Sequence, residues 1–370
     1  MNYSLFPNPY SPNLEMKICS IVGARPQFIK AAPLSRELRK RFREVLIHTG
    51  QHYDDKLSRV FFQEMDIPEP DYNLEIGSFS HGKQTGLMMI GIEEILEKEE
   101  PDMVIVYGDT NSTLAGALVA AKLHCPVGHV EAGLRSFNRA MPEEINRVLA
   151  DRASNFLFCP TQTAVDNLER EGITRGSYLT GDVMYDALKY YRTKLDNDNL
   201  FLEELDLDSG GYYLLTVHRA ENTDNPDNLR AIIETVAGLD MPVIFPVHPR
   251  TRNVMEKTGL RLSGMIHPID PVGYLQMMAL ESNAKKILTD SGGVQKEAYM
   301  LGVPCVTLRN ETEWVETVEE GWNVLVGTDR IAIMEAVQAL APPLDRKDLF
   351  GDGRASENIS RIIENSPLST

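Results

Sequence analysis

The feature that most constrains this chain is a rhythm, in which short unbroken apolar runs alternate with amphipathic stretches. The rhythm starts, breaks once and starts again. The first set of runs is Lys17–Val22, Val45–His48, Met103–Tyr107, Pro126–Val130, Asn155–Phe158 and Ser177–Leu179. The second is Tyr212–Thr216, Pro242–Val247, Lys286–Leu288, Cys305–Leu308 and Asn323–Val326. Apolar residues at consecutive rather than alternate positions mark strands covered on both faces. Between them lie helical segments such as Ile29–Arg41, Ser112–Leu123, Ile145–Ala153 and Gly293–Leu301. Strands alternating with helices predict parallel, doubly wound α/β sheets. The break is Tyr190–Gly211, rich in Asp, Asn, Glu, Leu and Gly and without a strand-like run. It reads as helix plus linker between two Rossmann-like domains. The expected organisation is an extension over 1–15, a first domain over 16–190, a second over 191–353 and a helix over 354–370 that packs back on either. Ligands of such sheets sit beyond the strand C-termini. For two facing domains that location is the cleft between them.

Charge narrows the partners. Lys and Arg total 37 against 54 Asp and Glu, a formal net charge of -17, and no basic stretch offsets the excess. Nucleic-acid binding is disfavoured, because neutralising phosphates needs a positive field. A small anion can still be held by a few local cations and helix N-termini. Cys19, Cys125, Cys159 and Cys305 form no CxxC pair, and three of them sit in apolar runs. They read as free thiols of a cytoplasmic protein. The segment Met1–Pro12 has neither a basic start nor an apolar stretch and is not expected to be a signal peptide. No run of about 18 apolar residues is present to span a membrane.

The polar residues cluster just after the predicted strands. Gly23-Ala24-Arg25-Pro26 follows the first strand and opens a helix, with Lys30 one turn in. Arg25 and Lys30 there suit a diphosphate, or simply a solvated helix start. The segment lacks G-x-G-x-x-G, so no nicotinamide or flavin pocket is indicated and no cofactor is expected. Asp109, in Tyr107-Gly108-Asp109-Thr110, stands where a carboxylate either caps a helix or does acid–base work. Glu131 ends an apolar strand before Gly133. Glu143 and Glu144 open the next helix, where first-turn acids are also ordinary. Gathered at one sheet edge, such carboxylates would raise one another's pKa and suit proton transfer. His218-Arg219 and His248-Pro249-Arg250 end two strands of the second set. Thr289-Asp290-Ser291-Gly292-Gly293 is the strongest local signal: a strand end, a glycine turn and a helix start, whose N–H groups cradle an anion. Glu297, one turn into that helix, could accept ribose hydroxyls. No G-K-[ST], H-E-x-x-H or G-x-S-x-G motif occurs, which disfavours ATP hydrolysis, a zinc site and a serine-hydrolase elbow.

Eight segments in order resemble the non-hydrolysing UDP-N-acetylglucosamine 2-epimerase family: GARPQFIKAAPL (Gly23–Leu34), TGQH (Thr49–His52), YGDTNSTLAG (Tyr107–Gly116), HVEAGLRS (His129–Ser136), MPEEINR (Met141–Arg147), TVHRAEN (Thr216–Asn222), PVHPR (Pro246–Arg250) and TDSGGVQKEA (Thr289–Ala298). The resemblance runs from about Lys17 to the C-terminus. It implies a GT-B glycosyltransferase-like fold and a homodimer. It also implies a reaction in which UDP is eliminated to leave a 2-acetamidoglucal and then adds back after C2 is protonated on the opposite face. That chemistry makes a precursor of cell-surface polysaccharide and needs no redox cofactor. Carried over by motif, Asp109, Glu131 and Glu143 correspond to the family's catalytic carboxylates and His218 to its essential histidine. Arg25, Lys30, Ser291, Gly292, Gly293 and Glu297 correspond to its UDP contacts, with Arg147 also facing the site. Gln51, His52 and His248 correspond to residues that bind a second, activating UDP-sugar in bacterial members.

One departure bears on the substrate. Where many members carry Thr-Glu-Arg-Pro-Glu, this chain has Thr312-Glu313-Trp314-Val315-Glu316. Trp314 replaces an arginine expected near the nucleotide. With the segments around Arg25 and Arg135, this is similar to the branch acting on UDP-2,3-diacetamido-2,3-dideoxy-glucuronate, whose C6 carboxylate Arg135 and Arg139 are expected to meet. More distant rivals are a GT-B glycosyltransferase and a nucleotide-sugar sensor without catalysis.

Overall fold

A computed structural model of the chain describes residues 16–50, 67–195 and 200–366. The chain divides into two compact units, Met1–Ala187 with Phe350–Thr370, and Leu188–Leu349. The divisions fall three or four residues before those expected at 190 and 353. At the second division Phe350 is buried in the first unit and its carbonyl accepts the Asp182 N–H at 3.0 Å, so the chain has already returned there.

The first unit runs β1 (Lys17–Val22), α1 (Arg25–Leu38), β2 (Arg43–His48), β3 (Tyr72–Asn73), α2 (His81–Glu99), β4 (Met103–Tyr107), α3 (Asn111–Lys122), β5 (Val127–Val130), α4 (Pro142–Ala153), β6 (Phe156–Cys159), α5 (Gln162–Arg170), β7 (Ser177–Leu179) and the start of α6 (Val183–Leu195), along which the chain passes into the second unit. Its sheet is ordered β3-β2-β1-β4-β5-β6-β7, and neighbouring strands pair in parallel. One side is filled by Cys19, Ile21, Val45, Ile47, Val104 and Val106 against Met88, Ile92 and Leu96 of α2 and Ala115 and Val119 of α3. The strand residues in that cluster alternate along each strand, and the intervening Ile18, Leu46 and Ile105 are also fully buried. Both faces are therefore covered, which is why the runs are unbroken.

The second unit continues with α7 (Leu200–Glu204), β8 (Tyr213–Thr216), α8 (Ala220–Thr223), α9 (Pro226–Val236), β9 (Val243–Pro246), α10 (Pro249–Thr258), β10 (Ile266–Ile269), α11 (Tyr274–Asn283), β11 (Lys286–Thr289), α12 (Gly292–Leu301), β12 (Cys305–Thr307), α13 (Val315–Glu319), β13 (Asn323–Leu325) and α14 (Arg330–Ala339). The sheet order is β10-β9-β8-β11-β12-β13, with parallel pairing. Tyr213 and Leu215 of β8 point to one core with α9 and α14, whereas Tyr212 and Leu214 point to another with α11 and α12. Strand β10 was not foreseen. Its Pro268 breaks a strand signal, and proline is tolerated because the strand is the sheet edge.

The last helix, α15 (Ala355–Asn365), belongs to the first unit, where it packs on α1. The half-buried Asp186 carboxylate accepts the first N–H groups of that helix, Ala355 at 3.0 Å and Ser356 at 2.7 Å. No helix among the described residues is long and apolar enough to cross a membrane.

Candidate active site

In both sheets the strand order reverses once, between β1 and β4 and between β8 and β11. The carboxyl ends at such a point open a crevice that neighbouring loops cannot fill. The sequence motifs fall on these two places.

In the first unit the two turns are tied together by Gln27. Its Oε1 accepts the N–H groups of Gly23 (2.8 Å) and Ala24 (3.0 Å), and its Nε2 donates to the Tyr107 carbonyl (2.8 Å) and Thr113 Oγ1 (3.0 Å). Tyr107 leads into Gly108, whose φ of +62° suits glycine, and then Asp109. Glu131 follows β5 with φ +71°, a left-handed conformation uncommon for a side chain of this kind. Its carboxylate forms a buried ion pair with the Lys30 ammonium. A Cβ on Gly108 would lie 3.0 Å from Lys30 Nζ and 3.2 Å from Glu131 Oε2, so the pair meets directly over this glycine.

Asp109 is ion-paired with the buried guanidinium of Arg147, which also meets Glu144 Oε2 at 3.0 Å. The two adjacent helix-opening acids have different roles. Glu144 is buried and accepts the Ser136 N–H (2.9 Å), the Ser136 hydroxyl (2.9 Å) and the Phe137 N–H (3.0 Å), so it clamps the loop before α4. Glu143, half-buried beside it, has no side-chain partner among the described residues. It can approach a ligand without breaking an ion pair.

Behind these groups lies a buried network that the motif did not reveal. His129 Nε2 lies 2.7 Å from the Gly108 carbonyl and its Nδ1 2.7 Å from Asp151 Oδ1. Arg135 binds Asp151 Oδ2 (2.7 Å), the Leu134 carbonyl (2.6 Å) and both oxygens of Glu171 (2.6 and 2.9 Å). Burial alone would raise the Asp151 carboxyl, but His129 and Arg135 overcome it and hold the group below the usual range. The expectation that Arg135 meets a substrate carboxylate is thereby corrected. Its side chain is almost fully buried and its donors are spent on Asp151, Glu171 and a carbonyl. Arg139 is exposed and has no side-chain partner among the described residues.

In the second unit the fully buried Asp290 ties the two strand ends. It accepts the N–H groups of His218 (3.1 and 3.0 Å) and Arg219 (3.0 Å) and the Asn222 amide (3.1 Å). The next residue, Ser291, caps α12 through the Val294 N–H at 3.4 Å. Gly292 leaves an open concavity: a Cβ there would meet Glu313 Oε2 at 3.5 Å, and Arg219 Nη2 and Trp314 Nε1 at 3.6 Å. Arg219 thus reaches the turn, a role the sequence did not single out. Trp314 is buried beside it, with the Lys296 ammonium 4.6 Å from its ring centroid, and Arg309 forms a buried pair with Glu313 at 3.0 Å.

His218 keeps 38% of its side chain exposed, with Nδ1 3.4 Å from Asp290 Oδ1. Desolvation is the largest influence on it and lowers its pKa below the ordinary value; Asp290 pulls it up, and Arg219 and Arg250 push it down. His248 caps α10 by accepting the Arg250 N–H at 3.1 Å, and its ring lies 5.2 Å from that of His218. Glu297 is buried on α12, facing the Tyr274 phenol, which makes no hydrogen bond of good geometry, and the buried Glu281. Burial first, then Glu297, pushes the Glu281 carboxyl well above the usual range. The side chain of Arg25, and Gln51 and His52 altogether, lie outside the described residues.

The chain thus has two Rossmann-like α/β units, one with paired carboxylates and cations at its switch point and one with a glycine turn opening a helix beside Arg219. Similarity sharpens the class. A family model described as UDP-N-acetylglucosamine 2-epimerase matches residues 36–364. The chain is 56% identical over 356 residues to a UDP-N-acetylglucosamine 2-epimerase homolog of Methanococcus maripaludis, covering 95% of this chain and 100% of that protein. It is 48% identical over 358 residues to UDP-2,3-diacetamido-2,3-dideoxy-D-glucuronate 2-epimerase of Pseudomonas aeruginosa, covering 94% and 99%. The crystal structure of Methanocaldococcus jannaschii UDP-GlcNAc 2-epimerase in complex with UDP-GlcNAc and UDP superposes with a TM-score of 0.90 at 46% identity, covering 95% of this chain and 100% of that one. The chain belongs to the UDP-N-acetylglucosamine 2-epimerase family, a family of isomerases.

Proposed function

We propose that the chain interconverts UDP-N-acetylglucosamine and UDP-N-acetylmannosamine. A base removes the C2 proton while the bond from C1 to the diphosphate oxygen breaks, and UDP leaves with that electron pair. The 2-acetamidoglucal then takes a proton at C2 on the opposite face as UDP adds back to C1. Asp109, Glu131 and Glu143 are the groups for the two proton transfers. Lys30 and Arg147 orient the first two, and Arg25 stands at the start of the neighbouring helix. Ser291, Gly292, Gly293 and Arg219 hold the diphosphate, Glu297 the ribose, and His218 lies beside the leaving group. The observation that carries this reading is the buried Lys30–Glu131 pair over Gly108, with Glu131 in a strained conformation beside the Asp109–Arg147 pair. Strain and buried charge at a switch point are features that concentrate where chemistry is done.

A second reading keeps the mechanism and changes the sugar to the 2,3-diacetamido-glucuronate. Trp314 and the exposed Arg139, which has no side-chain partner among the described residues, favour it; the loss of Arg135 to Asp151 and Glu171 weakens it. Either reading carries a homodimer, a role in polysaccharide precursor synthesis and a cytoplasmic location, which the unpaired thiols of Cys19, Cys125, Cys159 and Cys305 suit. Each UDP-sugar is incubated with the protein in deuterated water and followed by NMR. Deuterium at C2 with inversion identifies the substrate, and its absence from both sugars defeats both readings.

A further inference from the structure

Asp290 performs more than a structural service. It is completely buried at the end of β11, and its two oxygens accept four hydrogen bonds from His218, Arg219 and Asn222. Asn222 in turn donates to the Leu308 carbonyl at 3.1 Å, so the carboxylate cannot swing away. One of its oxygens also stands 3.4 Å from His218 Nδ1. A carboxylate oxygen only accepts, and a ring nitrogen lone pair turned toward it would be repelled. A hydrogen on Nδ1, with the lone pair on Nε2, is the arrangement of the neutral ring that this oxygen favours.

Apart from Asp290, the charged groups that act on the ring are Arg219 and Arg250. His248 stacks at 5.2 Å with its own Nδ1 occupied by the Arg250 N–H. Arg219 adjoins on the same loop. Arg250 is neutralised by Asp224 at 2.6 Å and by the Thr223 hydroxyl at 2.9 Å. Asp290 is the anion from β11, and desolvation with the two arginines outweighs it, so the ring starts neutral. A lone pair at Nε2 is the wrong partner for a diphosphate oxygen, since both are acceptors.

We propose that Asp290 is the positioning residue that fixes His218 as its Nδ1–H tautomer, and that His218 takes a second proton from solvent onto Nε2 when the diphosphate of UDP binds. The protonated ring then donates from Nε2 to the diphosphate while Asp290 holds the other end. This rests on the reading that the diphosphate lies at the start of α12.

The test uses the full chain with 15N-labelled histidine and UDP as the probe, at pH 8, where UDP itself is fully ionised. The His218 signals are those missing from a His218→Gln sample. In the free protein they are expected at the shifts of a neutral Nδ1–H ring, and with saturating UDP at those of an imidazolium. Calorimetry in two buffers of different ionisation enthalpy should report an uptake approaching one proton per UDP, absent in His218→Gln. Asp290→Asn should weaken UDP binding about 10- to 100-fold and abolish the uptake. Should that variant fail to fold, the wild-type shifts and proton count decide alone. A neutral Nε2–H ring in the free protein, or UDP bound with the ring still neutral, overturns the proposal. Failure of UDP to bind at all would instead overturn the reading on which it rests.

Discussion

The two switch points are built on the same strand order and carry opposite chemistry. In the first unit a neutral amide, Gln27, ties the turns together, and four charged groups at the crevice are matched in pairs, Lys30 with Glu131 and Arg147 with Asp109, leaving Glu143 without a side-chain partner among the described residues. In the second unit a carboxylate, Asp290, does the tying and draws His218 and Arg219 toward the open Gly292 turn. Topology decides where a site lies; the charge of the tie decides what the site is for. A neutral tie leaves the carboxylates to be tuned by their own cations. Each tie accepts two backbone N–H groups, and Asp290 adds a negative charge beside the His218 ring while the Arg219 guanidinium stands at the Gly292 turn.

The largest test of this contrast is Glu131→Gln. Loss of a positioned proton-transfer group costs about 10²- to 10⁴-fold, so turnover should collapse by ~10³-fold or more. The variant also strands Lys30 in a buried site, which costs about 3–5 kcal/mol of stability. UDP affinity, measured by calorimetry, should change little, because the proposed diphosphate cradle lies in the other unit. If affinity fell as far as turnover, the division of labour would be wrong.

Next comes the tie itself. Gln27→Leu keeps the volume and removes four hydrogen bonds from a residue 1% exposed. Two backbone N–H groups lose their acceptor, at about 1–3 kcal/mol each. We expect about 3 kcal/mol of lost stability in urea unfolding, with turnover reduced more than UDP binding.

The glycines give a smaller and more selective contrast. Gly292→Ala introduces a methyl at ordinary contact distance, 3.5 Å or more, with no backbone strain. The melting temperature should therefore hold while the methyl occupies the place meant for phosphate. Weakening of about 10- to 100-fold corresponds to about 1.4–2.8 kcal/mol. Gly108→Ala should do the reverse. Its φ of +62° and the 3.0 Å approach to Lys30 Nζ cost stability and turnover but leave UDP binding intact. Equal losses of UDP affinity in both variants would contradict the assignment of the anion cradle to α12.

Much of this was legible in the sequence, for physical reasons. Strands covered on both faces leave unbroken apolar runs, so both sheets could be read, except β3 with two residues and β10 with its proline. Strand ends were legible because glycine and polar residues must stand where the chain leaves a sheet. Pairing was not. Lys30 and Glu131 are 101 residues apart, and nothing local says that they meet. Gln27 reads as an ordinary helix residue, and Asp290 as part of a glycine turn. Arg135 misled because its motif position suggests a ligand-facing cation, whereas packing of α4 delivers Asp151 to it and takes it out of the site. Glu143 and Glu144 look alike in sequence; only the fold of the preceding loop makes one a clamp.

The last prediction concerns a buried acid of the second unit. Glu281 is 1% exposed and its Oε1 has no hydrogen-bond partner. Burial and the neighbouring Glu297 push its carboxyl well above the usual range. The buried Glu313 of the same unit has the Arg309 guanidinium at 3.0 Å, whereas Glu281 has the Glu297 carboxylate for its charged neighbour, which favours the protonated form. The folded chain then retains a proton that the unfolded chain gives up near the ordinary Glu value of about 4.3. Below that pH both states are protonated and the group is silent. As pH rises through it, the folded state loses ground by at most ~1.4 kcal/mol per pH unit, until the raised pKa is passed. Glutamine has no proton to lose, so Glu281→Gln should gain on the wild type between pH 5 and pH 8. Urea midpoints at the two pH values measure the gap, which should open in the variant's favour. Parallel behaviour of the two proteins would mean that Glu281 is ionised when folded.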